Sequence, residues 1–322
     1  MKILITGGAG FIGSHLAERL LSHNNEIYVL DNLSTGNFKN IEHLSKNDRF
    51  HCIIEDVRNE SNTEELIKNC DVVYHLAAAV GVRLVIEQPL ETMETNILGT
   101  HLLLKLCSQY HKKILLTSTS EVYGKGMSEH FREEDNCIIG PPNKRRWSYA
   151  ASKAKEEYLT FAYYYERELP IIIVRLFNTI GPRQTERYGM VVPNFIKQAV
   201  NNRPLTVYGD GKQTRSFLAI DDAIETLILL MENPKAIGEV FNIGGEQEIS
   251  IEDLANLIIR LTESSSSIKY VSYQEAYGEE FEDMRRRIPD ISKLKKLTGF
   301  RSKVSLEAIL EKMIDFYRCN PK

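Results

Sequence analysis

The segment Lys2-Ile3-Leu4-Ile5-Thr6 runs straight into Gly7-Gly8-Ala9-Gly10-Phe11-Ile12-Gly13, and from Ile12 to Ser22 the chain keeps the spacing of an amphipathic helix. A short run rich in Ile and Leu, apolar on both faces, suits a buried strand of a parallel sheet. Glycines at 7, 10 and 13 permit a tight turn and let the backbone close on a pyrophosphate. The helix that follows offers free N–H groups and a positive dipole end to that anion, with Phe11 and Ile12 in the same contact segment. Eighteen residues past Gly13, closing a second apolar run (Glu26–Asp31), stands Asp31. A carboxylate there accepts hydrogen bonds from an adenosine ribose and repels a 2′-phosphate, so the turn is read as binding NAD in preference to NADP.

Outward from this turn, apolar runs alternate with helical patterns. Val72–Leu76, Lys113–Thr117 and Ile171–Phe177 are read as further buried strands, and Glu91–Tyr110 and Ser148–Glu168 as amphipathic helices. Such alternation implies right-handed βαβ crossovers, hence an α/β, doubly wound parallel sheet of the Rossmann type. From about Gly181 the pattern changes: Gly, Pro and charges become frequent, and helices such as Val191–Asn201 and Ile251–Thr262 alternate with shorter apolar pieces. The expected division is a dinucleotide-binding domain over 1–180, with a return to it near 214–243, and a smaller α/β substrate domain over 181–322.

The 40 Lys+Arg against 44 Asp+Glu leave a net charge of −4, with no basic tail, which speaks against nucleic acid or a membrane surface as partner. The five cysteines are scattered, form no C-x-x-C pair, and read as reduced thiols. No apolar run approaches the ~18 residues of a membrane span, and the folded pattern starts at Lys2 without a signal-peptide pattern. A cytoplasmic protein is expected. The histidines show no metal-ligand spacing, so no metal is implied.

Three more pieces make a resemblance specific: Asp56-Val57-Arg58 after the third apolar run, His75-Leu76-Ala77-Ala78 closing the fourth, and Tyr149-x-x-x-Lys153 opening a long helix. Together with the glycine spacing these resemble the extended short-chain dehydrogenase/reductases that act on nucleotide sugars, over nearly the whole chain. The resemblance implies that Asp56 and Val57 hold the adenine and that Leu76, Ala77 and Ala78 line the pyrophosphate. Asn32, beside Asp31, and Asn96 complete the expected cofactor contacts, with Tyr149 and Lys153 at the nicotinamide end.

Tyr149 and Lys153, four apart on a helix, share a face. A phenol is a poor base at neutral pH, but a nearby ammonium and the positive nicotinamide favour the phenolate and make it competent to take a sugar hydroxyl proton. The expected chemistry is oxidation of a bound sugar at carbon 4, with Thr119 hydrogen-bonding the reacting oxygen. A ketone at carbon 4 opens three outcomes. Re-reduction from the other face is epimerisation. Loss of a carbon-6 hydroxyl is dehydration, which wants a base at carbon 5 and an acid for the leaving group. Loss of carbon dioxide from a hexuronate needs the ketone as sink and a controlled proton return. In Ser120-Glu121-Val122-Tyr123-Gly124, Glu121 is placed to serve as base or to steer ring geometry. Position 120 is Ser, where many dTDP-glucose 4,6-dehydratases carry Asp, although GDP-mannose dehydratases resemble the Thr119-Ser120-Glu121 found here.

Ser118–Gly124 and Gly140–Tyr149 resemble UDP-glucuronate decarboxylases, as do Tyr277–Asp283 and Arg287-Ile288-Pro289-Asp290; Tyr208–Phe217 is similar to UDP-xylose synthases. That resemblance implies Arg287 near the sugar carboxylate, where a guanidinium fork serves as carboxylate or diphosphate clamp. Asn178–Gln184 and Tyr188–Pro193 also look at home in 4-epimerases. For the nucleotide, Arg215 is a phosphate candidate, Tyr208 could flank a uracil and Gln213 could reach ribose or base; by resemblance Asn178 contacts the diphosphate and backbone near Val192 helps hold the nucleotide. The runs Lys144–Arg146 and Arg285–Arg287 are otherwise of the kind that is usually solvated. The leading expectation is NAD-dependent decarboxylation of UDP-glucuronate, followed by a UDP-hexose or UDP-hexuronate 4-epimerase, a dehydratase, and a non-catalytic NAD-binding protein. A homodimer through the long helices is a further expectation from the family.

Overall fold

A computed structural model of the chain describes residues 1–185, 190–277 and 284–320. Tyr188 and Gly189, and Gly278 through Asp283, quoted above for their resemblances, lie outside the described residues.

The strands in chain order are β1 (Lys2–Thr6), β2 (Glu26–Leu30), β3 (Phe50–Ile53), β4 (Val72–His75), β5 (Lys113–Thr119), β6 (Ile171–Leu176), β7 (Thr179–Ile180), β8 (Leu205–Tyr208), β9 (Thr214–Ser216), β10 (Leu218–Ala219), β11 (Glu239–Ile243), β12 (Glu248–Ser250), β13 (Ile268–Val271) and β14 (Arg286–Arg287). Seven of them form one sheet in the order β3-β2-β1-β4-β5-β6-β11, parallel throughout. The order reverses between β1 and β4, so a crevice opens over their carboxyl ends, where ligands of doubly wound sheets bind. Residues such as Leu4, Ile5, Val73, Leu115 and Ile172 are fully buried because helices cover both faces.

The predicted strands are present with ends shifted by a residue or two. One shift matters: β5 continues past Thr117, with Ser118 and Thr119 paired to Arg175 and Leu176 of β6. The hydroxyls of Ser118 and Thr119 therefore stand on a ladder strand instead of a loop. The helix Phe11–Ser22 starts one residue earlier than its apolar spacing suggests, with Gly10 as N-cap. β11 brings residues of the second half back to the edge of the main sheet beside β6.

The helix Ile220–Glu232 also packs into the core of the main sheet, through Ile220, Ile224 and Leu227, as do Ile291, Leu294 and Phe300. Other residues of the second half build a separate apolar cluster, with Val192, Phe195, Ile196, Leu254, Ile258, Leu310 and Met313 among its members. The helix Ile251–Thr262 shows why it forms. Ile251, Leu254, Ala255 and Ile258 recur on one face and are buried, and the Ser250 hydroxyl accepts the Asp253 N–H at 3.0 Å as an N-cap. A three-stranded sheet, β12-β9-β14, lies in this half, and its register sets Arg287 opposite Arg215. Two arginines separated by 72 positions in sequence thus become neighbours.

Candidate active site

At the end of β1 the chain turns at Gly7, whose φ of 72° favours glycine. Its N–H donates to the Leu30 carbonyl at 2.8 Å. A Cβ on Gly13 would lie 2.2 Å from the Gly7 oxygen, and one on Gly7 would lie 2.7 Å from the Ala77 nitrogen. A Cβ on Gly10 would meet only the Gly7 oxygen, at 3.1 Å. Gly7 and Gly13 are therefore required by the fold itself. Gly10, by contrast, leaves room above a helix end that no side chain caps, and that end fits a diphosphate.

Asp31 is buried at the tip of β2, where its carboxylate accepts the Ala9 N–H at 2.9 Å and the Leu33 N–H at 2.8 Å. Burial pushes its pKa up against these backbone donors. Asn32 is exposed and donates to Asp56 at 3.0 Å. The Asp56 carboxylate is gripped by Arg58, which outweighs its partial burial and brings its pKa down to about 2. The Val57 side chain is buried against Gly99, and its carbonyl accepts the Thr63 hydroxyl at 3.0 Å. Leu76 and Ala77 are tied to β1, donating to the Thr6 carbonyl at 3.1 Å and the Thr6 hydroxyl at 3.3 Å. Asn96 is a brace. Its amide accepts the Ala79 N–H at 2.8 Å and donates to the Ser152 hydroxyl at 3.2 Å, joining the loop after β4 to the helix Ser148–Arg167.

That helix carries Tyr149 and Lys153 near its start. Tyr149 is half-buried and hydrogen-bonded to Thr119, whose hydroxyl also accepts the Glu121 N–H at 3.2 Å. Lys153 is fully buried, and its ammonium donates at 2.6 Å to Glu156. This differs from the simple expectation of an ammonium that favours the Tyr149 phenolate. Loss of water pushes the phenol well above its ordinary value, Glu156 and Glu121 add to the rise, and the Thr119 hydrogen bond and Arg287 oppose it.

Glu121 follows in the short 3-10 turn Ser120–Tyr123. Arg146 approaches its carboxylate to 2.5 Å and Arg287 pairs with its other oxygen. Burial alone would raise its pKa, yet the two guanidiniums hold it down at about 2. Glu121 is thus an anion fixed between two cations and a weak proton acceptor. Arg287 also donates to the Asn178 side chain at 2.9 Å, and Asn178 in turn donates to the Ser216 carbonyl at 2.9 Å. Ser120 is buried beside this group.

Of the residues expected at the nucleotide, Arg215 is buried and in register with Arg287. Gln213 is also buried and donates to the Tyr208 carbonyl at 2.9 Å, so its amide shapes the β8–β9 loop. Val192 packs its side chain into the second core. Arg285 and Arg286 pair with the surface carboxylates Asp210 and Glu248, which answers the question of solvated faces for those two. Arg146 does not belong to that class. It is 6% exposed, stacks on Trp147 and holds Glu121, a site residue hidden in a basic run. Its one local signal is its place three residues before Tyr149, next to a tryptophan that has to be buried.

A dinucleotide-type crevice with a Tyr-x-x-x-Lys helix at its rim defines the extended short-chain dehydrogenase/reductase class. Within it, the chain belongs to the family described as GDP-mannose 4,6 dehydratase, whose model matches residues 4–313. It is 43% identical over 318 residues, covering 98% of both chains, to the UDP-N-acetyl-alpha-D-glucosaminuronate decarboxylase of Bacillus cytotoxicus. UDP-glucuronic acid decarboxylase 1 of Arabidopsis thaliana is 37% identical over 99% of this chain and 70% of its own length. Among solved structures, the UDP-glucuronic acid 4-epimerase of Bacillus cereus in complex with UDP-glucuronic acid and NAD superposes with a TM-score of 0.88 at 35% identity, covering 99% of each chain.

Proposed function

We propose that this protein is an NAD-dependent enzyme that decarboxylates a UDP-hexuronate, either UDP-glucuronate or its 2-acetamido counterpart, through a 4-keto sugar. The observation that carries this reading is the Arg146–Glu121–Arg287 cluster, which Thr119 joins to Tyr149. The three outcomes of carbon-4 oxidation make different demands at carbons 5 and 6. Dehydration needs a base and an acid there, whereas Glu121 is held as a weak base and Ser120 is no acid at neutral pH. Decarboxylation needs a cation to orient the substrate carboxylate, and Arg287 supplies one from the wall of the site.

NAD, when bound, accepts the hydride from carbon 4. Tyr149 takes the carbon-4 hydroxyl proton, Thr119 orients the oxygen and Lys153 holds the nicotinamide ribose. Arg287, Ser120 and Glu121 manage the carboxylate and carbon 5, with Arg146 keeping Glu121 ionised. Gly7, Gly10 and Gly13 with Phe11 and Ile12 hold the diphosphate, Asp31 and Asn32 the ribose, Asp56 and Val57 the adenine, and Leu76–Ala78 the far side of the cofactor, braced by Asn96. Asn178, Val192, Tyr208, Gln213 and Arg215 form the UDP site. Residues 1–180 thus hold the dinucleotide and 181–322 the nucleotide sugar. The enzyme is a cytoplasmic homodimer in this proposal, supported by scattered thiols and by Leu98, Tyr158 and Tyr165 exposed on the helices Pro89–Gln109 and Ser148–Arg167. No helix among the described residues is long and apolar enough to cross a membrane.

The test is to incubate the protein with NAD and either uronate and weigh the nucleotide-sugar product. A product lighter by one carbon dioxide is expected. A new isomer of unchanged mass would make the protein a 4-epimerase, the reading favoured by the 35% identity to the Bacillus cereus enzyme.

A further inference from the structure

The Glu121–Arg287 pair joins two segments far apart in the chain, and a side chain with no part in the scheme above lies where those segments meet. Asn242 of β11 stands in register with Arg175 of β6 and is fully buried. Its amide nitrogen donates to the Phe131 carbonyl at 2.8 Å and to the Asp290 carbonyl at 3.3 Å. Its amide oxygen accepts the Tyr123 hydroxyl at 2.7 Å, and its backbone N–H donates to the Glu133 carboxylate at 2.8 Å.

The chemistry of the partners sets these directions. Main-chain carbonyls only accept, so the amide NH2 has to face Phe131 and Asp290. Arg175 donates to the Tyr123 hydroxyl at 2.9 Å, which turns the phenol proton toward the Asn242 oxygen. One side chain thereby holds three segments: the turn Ser120–Tyr123, the stretch at Phe131 and the stretch at Asp290. Removing it would leave buried carbonyls without donors, so the arrangement is specified and not merely tolerated.

Each of these segments leads to the site. Tyr123 is two residues from Glu121 in the same 3-10 turn, and Asp290 is three residues from Arg287. Phe131 closes the gap between them. Its N–H donates to the Ile288 carbonyl at 2.9 Å, its carbonyl accepts the Asp290 N–H at 2.8 Å, and its ring stacks on Tyr123 with centroids 4.7 Å apart. Two residues along from Asn242, a Cβ on Gly244 would lie 2.8 Å from Pro289, so the stretch after Arg287 rests directly on the β11 end. β14, which carries Arg287, has two residues and pairs with β9 of the second half. Its continuation is bonded to the main sheet through Asn242. A guanidinium meets a carboxylate best in one plane with two parallel bonds, so a small displacement of either segment costs much of that pairing.

We propose that Asn242 is a positioning residue for uronate selection: by bonding the Glu121 turn and the Arg287 strand to β11, it sets where the Arg287 guanidinium stands for a substrate carboxylate. That Arg287 takes such a carboxylate rests on the function proposed above. The experiment measures UDP-glucuronate and UDP-glucose binding by titration calorimetry on the NAD-loaded full chain. Tyr149→Phe serves as the parent, so that ligands are held without turnover. Asn242→Asp keeps the shape and removes both donors, while Tyr123→Phe removes only the hydroxyl between the turn and Asn242 and decides the test where Asn242→Asp does not fold. Each variant should weaken UDP-glucuronate about tenfold or more and leave UDP-glucose, which shares the UDP and lacks the carboxylate, within about twofold. A folded variant that loses both sugars equally, or that binds the uronate as the parent does, overturns the proposal. Nitrogen-15 spectra without ligand give a second reading: the Arg287 guanidinium should rotate slowly in the parent and freely in Tyr123→Phe, and unchanged rotation overturns the proposal as well. A parent that binds both sugars alike would sink the carboxylate clamp of the proposed function, while the guanidinium spectra still decide whether Asn242 positions Arg287.

Discussion

Gly10 and Gly13 belong to one motif but answer to different constraints, and alanine at each should separate them. At Gly13 the added methyl would sit 2.2 Å from the Gly7 oxygen, 2.7 Å from the Gly8 Cα and 2.9 Å from the Gly7 carbonyl carbon, all main chain. Carbon contacts normally relax to about 3.5–4 Å, so the turn has to open, at an overpacking cost of about 1–3 kcal/mol. For a chain of this size that corresponds to a melting temperature lower by roughly 1.5–4.5 °C. At Gly10 the backbone has φ −73° and ψ −179°, accessible to any residue, and the methyl meets one atom at 3.1 Å. Gly10→Ala should therefore melt within about 1 °C of wild type. Gly10 caps the helix end proposed to take the diphosphate, so NAD affinity should fall about tenfold or more. Scanning calorimetry without NAD and titration calorimetry with it measure the two effects. The reasoning fails if Gly10→Ala binds NAD as wild type does, or if it loses as much stability as Gly13→Ala.

Tyr149→Phe should abolish turnover while NAD affinity stays within about twofold; retained activity in the product assay defeats the assignment of Tyr149 as base. Arg146→Met leaves Glu121 with one guanidinium. The Glu121 pKa then climbs from about 2, and the acid limb of the pH–rate profile should move to higher pH; a limb that stays in place refutes the role given to Arg146. The folded pKa of Asp56, about 2, lies below the ordinary 3.8, so its pairing stabilises the fold above about pH 4 and is lost as pH falls toward 2. Arg58→Ala should cost roughly 1–2 kcal/mol in urea unfolding near neutral pH and distinctly less near pH 3, and an equal cost at both excludes the ion pair as its source. Glu157→Gln strips the carboxylate that Arg175 contacts at 2.7 Å inside the fold; a loss of about 3–5 kcal/mol is expected, and a loss under about 1 kcal/mol in urea unfolding would count against it.

What could be read from the sequence was local and periodic. The Gly7–Gly13 turn and the Tyr149–Lys153 spacing lie within single segments, so strand, turn and helix declare them together. β3 is a weaker signal because it sits at the sheet edge with only Phe50 fully buried. What the sequence leaves unread has a common physical source, which is tertiary pairing. Gln213 and Asn96 are the right residue types for ligand contacts, but the carbonyl of Tyr208 at the end of β8 and the Ala79 N–H of the loop after β4 also engage their amides. Arg146 looks like its neighbours Lys144 and Arg145 until Trp147 is buried beside it and Glu121 arrives from the end of β5. Glu156 stands at ion-pair spacing from Lys153, but its burial depends on Thr100 and His75, which lie more than fifty residues earlier in the chain.

Glu156 and Glu157 show how the site is keyed to the sheet. Adjacent residues on a helix point about 100° apart, and here the two carboxylates reach different partners. Glu156 takes Lys153 and Thr100, and through His75 connects to β4 and the loop that carries Leu76–Ala78. Glu157 takes Arg175 of β6 and, at 2.5 Å, the Ser118 hydroxyl of β5, one residue before Thr119. Arg175 continues to Tyr123, whose hydroxyl donates to Asn242 of β11. One helix turn is thereby bonded toward the cofactor crevice on one side and toward the Thr119–Glu121 segment on the other. Rotating the helix by a single residue would leave two buried carboxylates, an ammonium and a guanidinium unpaired, each at a cost of several kcal/mol. Apolar packing alone tolerates such slips far more cheaply. The buried charges thus fix the register that brings the Tyr149 hydroxyl to Thr119, and the geometry of the chemistry is written into the folding energetics of the helix that carries it.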